Sequence, residues 1–230
     1  LRHLLLPLAV LFMLLLTASG ALLWWRYQTL ITQRISAIKK TVLDQRALEL
    51  KMESEGLRQT LLPIAASLQQ YETLDESDTD ALIATWQPVF NSMKQQCGLT
   101  HFLLCDTNRQ VILRLHNRSL CGDRINRQTL LQAQRTAQAV TGLEMNPDGS
   151  LVLRAVQPLM HHKHLIGYLE LGKEINSPVK KDRLQPDTLQ IMTIHKDSLD
   201  QSQWETARKA RGQETEGVWD RLPASIITYS

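Results

Sequence analysis

Hydrophobic residues fall along this chain in three successive regimes. Leu4 to Trp25, LLLPLAVLFMLLLTASGALLWW, is apolar on every side and carries no charge. At about 1.5 Å of rise per residue, such a run crosses a hydrocarbon layer of roughly 30 Å. Arg2 and Arg26 bracket it, and Trp24, Trp25 and Tyr27 make an aromatic belt at one end. Ala18-Ser19-Gly20 also resembles a secretory cleavage site. The apolar run continues past it through Leu22 and Leu23, which a cleaved leader does not need. An uncleaved anchor over residues 1–27, spanning a membrane through residues 4–25, is therefore the expectation.

From residue 28 to 74 the pattern becomes amphipathic. Ile31, Ile35, Ile38, Val42, Leu48, Leu50, Met52, Leu57, Leu61, Ile64 and Leu68 recur at helical spacing, with Gln, Arg, Lys, Glu and Ser between them. This predicts a stalk helix several times the usual length, with Gly56 and Pro63 expected to kink or interrupt it. Its stripe serves either a second copy, giving a homodimer through the stalk, or the sheet that follows.

In the third regime, a break at Asp75-Glu76-Ser77-Asp78 precedes a new helix through SDTDALIATWQPVFNSMKQQ. Ser77 or Asp78 suits its N-cap, Pro88 predicts a kink, and Gly98 stops it. Thr100–Cys105 and Gln110–His116 then flank a turn sequence, Asp106–Arg109, and read as a hairpin. A short helix follows around Gln128–Gln138. Strands are predicted near Thr141–Met145, Ser150–Leu159 and Leu165–Gly172, joined by Asn146-Pro147-Asp148-Gly149 and by His161–His164. The order favours an α+β fold: a mainly antiparallel sheet with helices on one face, over residues 75–177. Residues 178–230 read as a linker rich in Lys, Arg and Asp, then a strand, a helix at Gln201–Arg211 and a last strand at Ala224–Tyr229. That is expected to be part of a second subdomain.

Composition narrows the function. A net charge of +3, with no basic face or tail, excludes nucleic acid as a natural partner. The three cysteines, Cys97, Cys105 and Cys121, have no CxxC spacing; free thiols are the default, with a Cys105–Cys121 disulfide as the alternative. His161-His162-Lys163-His164 is the most metal-like cluster, but a solvated hairpin turn explains it better than a metal site. No catalytic signature and no cofactor motif is present, which points away from an enzyme.

These stretches together resemble a known family. RQVILRLHN at 109–117, GDRINRQTL at 122–130, TGLE at 141–144, LVLRAVQPL at 151–159 and IGYLELGKEI at 166–175 look like the double-Cache, PAS-like sensory domains of bacterial transmembrane receptors. The tail from HKDSLDQSQWE to WDRLPASII is similar to that family's membrane-proximal portion. The resemblance implies a sensor lying outside the cytoplasmic membrane, in the periplasm or beyond. Its output would be a histidine kinase, a diguanylate cyclase or a chemoreceptor module outside this chain.

Strand alternation supplies candidate site residues. Val111, Leu113 and Leu115 are expected on one side of their strand, with Ile112, Arg114 and His116 on the other. Arg154 interrupts a strand of Leu and Val, and Tyr168 and Glu170 alternate with Leu169 and Leu171. Arg127 opens the short helix. A guanidinium can hold a carboxylate through two parallel hydrogen bonds. The resemblance implies that Arg114, His116 and Arg154 line a pocket for an organic acid or amino acid, with Arg127, Tyr168 and Glu170 as further candidates. If Glu170 faces that pocket, a zwitterion fits better than a dicarboxylate. The alternative is that Arg114 or Arg154 forms an internal pair with Glu144 or Glu170. On the pocket reading, Arg114→Ala and Arg154→Ala abolish binding and spare the fold. The competing function is an anchored binding or structural protein whose α/β domain docks a partner protein.

Overall fold

The structure, a computed structural model, describes residues 2–74, 79–175 and 192–229. The chain divides into two compact units, residues 1–49 and 50–230. The first unit is the N-terminal part of helix α1, Arg2–Leu68. Its most apolar window has a mean hydropathy of 2.1 and is long enough to cross a membrane. Within it the hydroxyls of Thr17 and Ser19 donate back to backbone carbonyls one turn earlier. These two hydroxyl hydrogens are thus satisfied without water, as a hydrocarbon setting requires.

In the second unit, α1 continues without a break through Gly56 and Pro63, so the expected interruption does not occur. The reason is packing: Leu57, Leu61, Ile64, Ala65 and Leu68 are all buried in the main core cluster. Burial of five apolar side chains, at about 1.5–3 kcal/mol for each large one, outweighs the roughly 3 kcal/mol cost of a mid-helix proline. Helix α2, Thr79–Cys97, runs through Pro88 in the same way and buries Leu82, Trp86 and Phe90, spaced four residues apart. Trp86 and Phe90 both meet Phe102 of the sheet, with ring centroids about 6 Å apart (6.1 and 6.2 Å). Gly98, at φ 68°, ends α2. The predicted break at 75–78, the linker Pro178–Pro186 and the first residues of the strand predicted from Thr188 lie outside the described residues.

Five strands follow: β1 His101–Cys105, β2 Val111–Arg114, β3 Val140–Met145, β4 Leu151–His161 and β5 His164–Glu174. They form one antiparallel sheet in the order β2-β1-β5-β4-β3. One face, carrying Phe102, Leu104, Leu153, Ala155, Leu169 and Leu171, packs on α1 and α2. Helix α3, Gln128–Thr136, covers the opposite face, where Leu130 and Ala133 join Leu103, Cys105, Val156 and Tyr168. Helices on a single face were expected; α3 is too short and polar for its two buried apolar positions to announce a second layer.

Strand β2 also departs from simple alternation. Leu104 pairs with Leu113, but Cys105 pairs with Val111, so one extra residue bulges at Ile112. Val111 therefore joins the α3 face, and Ile112 the α1–α2 face. Arg114 keeps its expected side. The hairpin between β4 and β5 turns through His162 and Lys163, both at positive φ. Beyond residue 191, β6 Met192–His195 and β7 Ser225–Tyr229 pair antiparallel, with α4 Gln201–Ala210 between them. Ile194, Trp204, Val218 and Ile226 form a separate small core.

Two glycines have opposite expected responses to an added methyl. At Gly167, φ 155°, a Cβ would sit 2.3 Å from the Cys105 carbonyl oxygen of the neighbouring strand. Gly167→Ala should cost about 3 kcal/mol or more, lowering the melting temperature by roughly 6–12 °C. At Gly56 a Cβ would meet nothing within 4 Å. Gly56→Ala should stabilise the helix by about 0.5–1 kcal/mol. Thermal unfolding of both variants checks the pair, and equal effects would show that the backbone approach at Gly167 is misread.

Candidate functional site

The sheet face beneath α3 is the one place where charged side chains are buried together among the described residues. Register fixes who meets whom: Leu103 pairs with both Arg114 and Glu170, Glu170 with Val156, Gly172 with Arg154, and Arg154 with Gly142. Arg154 has no exposed side-chain surface, and Glu170 has 1%. The Arg154 guanidinium donates to Glu170 Oε1 at 2.5 Å and to Asn146 Oδ1 at 2.7 Å. Its Nε lies 3.4 Å from Glu144 Oε2, close enough for charge attraction but without the alignment of a hydrogen bond.

Arg127, just before α3, donates to the same Glu170 Oε1 at 2.7 Å and keeps 26% of its side chain exposed. No side chain caps α3 from its own N-cap position, Arg127. Instead the carboxylate of Glu144, across on β3, accepts from the Thr129 amide at 2.7 Å. A carboxylate at a helix N-terminus satisfies an orphan amide and meets the positive end of the dipole. Two arginines and two glutamates thus hold helix to sheet with balanced charge. Among the described residues, the buried Glu170 Oε2 and Glu144 Oε2 accept no hydrogen bond, and the buried Arg154 Nε, 3.4 Å from Glu144 Oε2, donates none.

The other expected residues have different surroundings. Arg114 forms a two-pronged pair with Asp123, at 2.6 and 2.8 Å, and also donates to the Leu120 carbonyl. It pins the 117–127 segment along the sheet edge. Its hydrogen bonds hold the Asp123 carboxyl below the usual range. β1 separates Arg114 from Glu170, so Arg114 is one strand removed from the buried cluster. His116 Nδ1 lies 3.1 Å from the Phe102 carbonyl oxygen, and its ring sits 4.5 Å from that of His101. Tyr168 is fully buried among Leu103, Cys105 and Val156, a core position whose burial raises its pKa. Cys105 is buried and free, while Cys121 is exposed and free.

Sequence reasoning had missed Asp123, His101, Asn146 and Thr129. Nothing marks Asp123 as the partner of an arginine nine positions earlier, and Asn146 stood in what read as an ordinary turn.

This geometry frames the comparisons. The family model described as "Double sensory domain of two-component sensor kinase" matches residues 34–204. The chain belongs to that family. An apolar N-terminal helix on a double sensory domain fits a membrane-anchored protein with an external domain. Its relatives by that model are sensory rather than catalytic domains. Comparison with curated proteins gives no match.

Among solved structures, the E. coli DcuS sensor domain superposes with a TM-score of 0.39 at 16% identity, covering 54% of this chain and 92% of that one. A domain of a sensory box/GGDEF family protein from Vibrio parahaemolyticus gives 0.40 at 18% identity, covering 59% of each chain. The ligand-binding domain of the Campylobacter jejuni chemoreceptor Tlp3, in complex with L-valine, gives 0.36 at 15%, covering 60% of this chain and 62% of that one. The chain thus spans about three fifths of those last two. At these TM-scores the likenesses carry no argument about the site, which rests on its own geometry.

Burial pushes His101 down to about 3, with the charges of His116 and of the neighbouring arginines adding to the effect, and His116 down to about 4, with Arg114 and Arg127 adding. Their ordinary value lies near 6.5. Between those limits the unfolded chain binds more protons than the folded domain, so stability falls as the pH drops. Partial solvent screening of both rings limits the combined loss to about 2–4 kcal/mol from pH 7 to pH 4. His116→Asn, which keeps an amide near the Phe102 carbonyl, should flatten this slope. Melting temperatures across that range check it, and an unchanged slope in the variant would assign the pH dependence elsewhere.

Proposed function

We propose that the double sensory domain binds a small zwitterionic solute, an amino acid or an amino-bearing organic acid, at the Arg127–Glu170–Arg154–Glu144 cluster. The observation that carries this reading is the pair of buried carboxylate oxygens without hydrogen bonds, beside guanidinium groups whose terminal nitrogens are engaged and which leave one unused N–H, Arg154 Nε. Arg114 is committed to Asp123, and Arg154 to Glu170 and Asn146. A ligand that brought only carboxylates would face two unsatisfied carboxylate oxygens and a single unused N–H, Arg154 Nε. An ammonium group instead supplies the donors that Glu170 Oε2 and Glu144 Oε2 lack. Arg127, the exposed guanidinium of the cluster, then takes the ligand's carboxylate.

In this reading the domain lies on the periplasmic or outer side of a cytoplasmic membrane, anchored through residues 4–25. Two copies associate through the stalk, whose Ile31, Ile35, Ile38 and Val42 alternate at spacings of four and three residues. Ligand shifts the balance between two stalk arrangements, read by a kinase, cyclase or chemoreceptor module. Such a shift requires different affinity for the two arrangements.

Arg154→Ala is a poor probe of this site. It would leave buried Glu170 with Arg127 alone, and breaking a buried pair costs about 3–5 kcal/mol. The informative variant is Arg127→Ala, whose side chain is partly exposed. A thermal-shift screen of the full chain against free amino acids and organic acids should find a stabilising solute. At a hundred times its dissociation constant the gain is about 2.7 kcal/mol, a rise of roughly 5–10 °C. Arg127→Ala should lower the unliganded melting temperature, because Glu170 keeps only Arg154 as its cation, and should remove the rise that the solute gives above that new baseline. A rise retained in Arg127→Ala, or hits confined to compounds without an amino group, would sink the assignment. A flat screen would favour a protein as the partner.

A further inference from the structure

The turn between β3 and β4, Asn146–Gly149, is used at every residue, and its uses face two ways. On one side, Asn146 Oδ1 accepts from Arg154 at 2.7 Å, inside the buried cluster. Asn146 Nδ2 then donates to Ser150 Oγ at 2.9 Å, and Ser150 Oγ donates to Asp148 Oδ1 at 2.6 Å. Asp148 Oδ2 is 3.5 Å from Arg211 Nη2, which also reaches Glu174 Oε1 at 3.2 Å. Arg211 is the C-cap of α4.

Backbone and packing repeat the connection. The Asp200 amide, at the N-cap of α4, donates to the Pro147 carbonyl at 2.9 Å. Gly149, at φ 80°, lies so near the buried Trp204 that a Cβ would approach its ring to 3.1 Å. Met145 and Leu199 pack on the same small core.

Each link has a fixed direction. Asn146 has its oxygen claimed by a guanidinium and its nitrogen by a hydroxyl, so a flip of the amide loses the Arg154 bond and keeps Ser150 only if that hydroxyl gives up Asp148. Ser150 accepts from one neighbour and donates to the other. A chain of groups with no interchangeable partner transmits a rearrangement rather than absorbing it. Its slack lies at the far end, where the side chains of Asp148 and Arg211 are 27% and 37% exposed and their attraction is screened.

We propose that the side-chain relay Asn146–Ser150–Asp148 across this turn, more than its backbone contacts, couples the Arg154–Glu170 pair to α4, so that a change of partner at Glu170 loosens or tightens the second core. The proposal depends on the ligand reading only for what causes that change; the coupling is a property of the folded chain and is tested without ligand.

The test is amide hydrogen exchange on the full chain in lipid nanodiscs, for wild type, Glu170→Gln, Ser150→Ala and the double variant. Glu170→Gln should speed exchange in α4 about fivefold, at the low end of measured couplings, as well as near Arg127. In the Ser150→Ala background its effect on α4 should shrink to less than about twofold, while the effect near Arg127 persists. Exchange in α4 that ignores Glu170→Gln overturns the proposal, as does an equal response in both backgrounds. Should Glu170→Gln fail to fold, Asn146→Ala serves instead. It must alter exchange both beside Arg154 and in α4, and a response at one end alone overturns the coupling. A flat solute screen with this coupling intact removes the ligand and keeps the turn's role; a positive screen with no coupling does the reverse.

Discussion

The buried guanidinium of Arg154 is the constraint around which the sensory domain is arranged. A charge with no exposed surface, on the strand next to the edge of a five-stranded sheet, is expensive unless its donors find acceptors. Three chain segments answer it in part: Glu170 from the adjacent strand and Asn146 from the turn leading into its own strand accept hydrogen bonds, and Glu144 from the other neighbour adds charge attraction alone. Burial pulls the Arg154 pKa down and Glu170 opposes it. Glu170 also takes Arg127, and Glu144 takes the first turn of α3, so the helix is placed by the needs of one strand residue. A hydrophobic residue at 154 would demand none of this, and such swaps are often neutral or stabilising in other proteins. The cluster is therefore better understood as a device for position and response than as a source of stability.

Stability comes from the other face. There α1 and α2 lay a nearly continuous apolar layer on Phe102, Leu104, Leu153, Ala155, Leu169 and Leu171, with no buried charge among them. Such a face holds the sheet whatever happens opposite, which leaves the α3 face free to carry charges, two histidines and exchangeable pairs. One strand period of two separates the duties: Leu169 and Leu171 serve the core, while Tyr168 and Glu170 face α3.

Much of this was legible in the sequence because period and punctuation are local. The strands of the main sheet, their turns, α3 and α4 lie within about two residues of where hydrophobic spacing puts them, and alternation alone puts Tyr168 and Glu170 on one face. The failures share one cause, namely that tertiary packing overrides local propensity. Gly56 and Pro63 should weaken a helix, yet five buried side chains carry α1 through them. Alternation failed at Ile112 because a bulge cannot be seen in one strand without its partner. For the arginines, the sequence left a choice between ligand contact and internal pair. The structure supplies internal partners for all three, and Asp123 could not have been named beforehand, since its pairing depends on how 117–127 folds back on the edge of β2.

Those internal partners sharpen what a ligand must do at the proposed site. Pulling Arg127 from Glu170 with a simple anion would leave two carboxylates, Glu144 and Glu170, sharing Arg154 under α3, with the negative charge undercompensated in a poorly hydrated setting. The attraction gained at Arg127 would be offset by that repulsion. A zwitterion avoids the penalty, because its ammonium replaces the lost cation while its carboxylate engages the guanidinium that moved. The exchange is then neutral in charge, and the selective force comes from satisfying Glu170 Oε2 and Glu144 Oε2. Arg154 would feel the exchange directly through their shared acceptor, Glu170 Oε1, and Asn146 holds the other end of the same guanidinium. Recognition and response would in that case be one rearrangement, with Glu170 as its pivot.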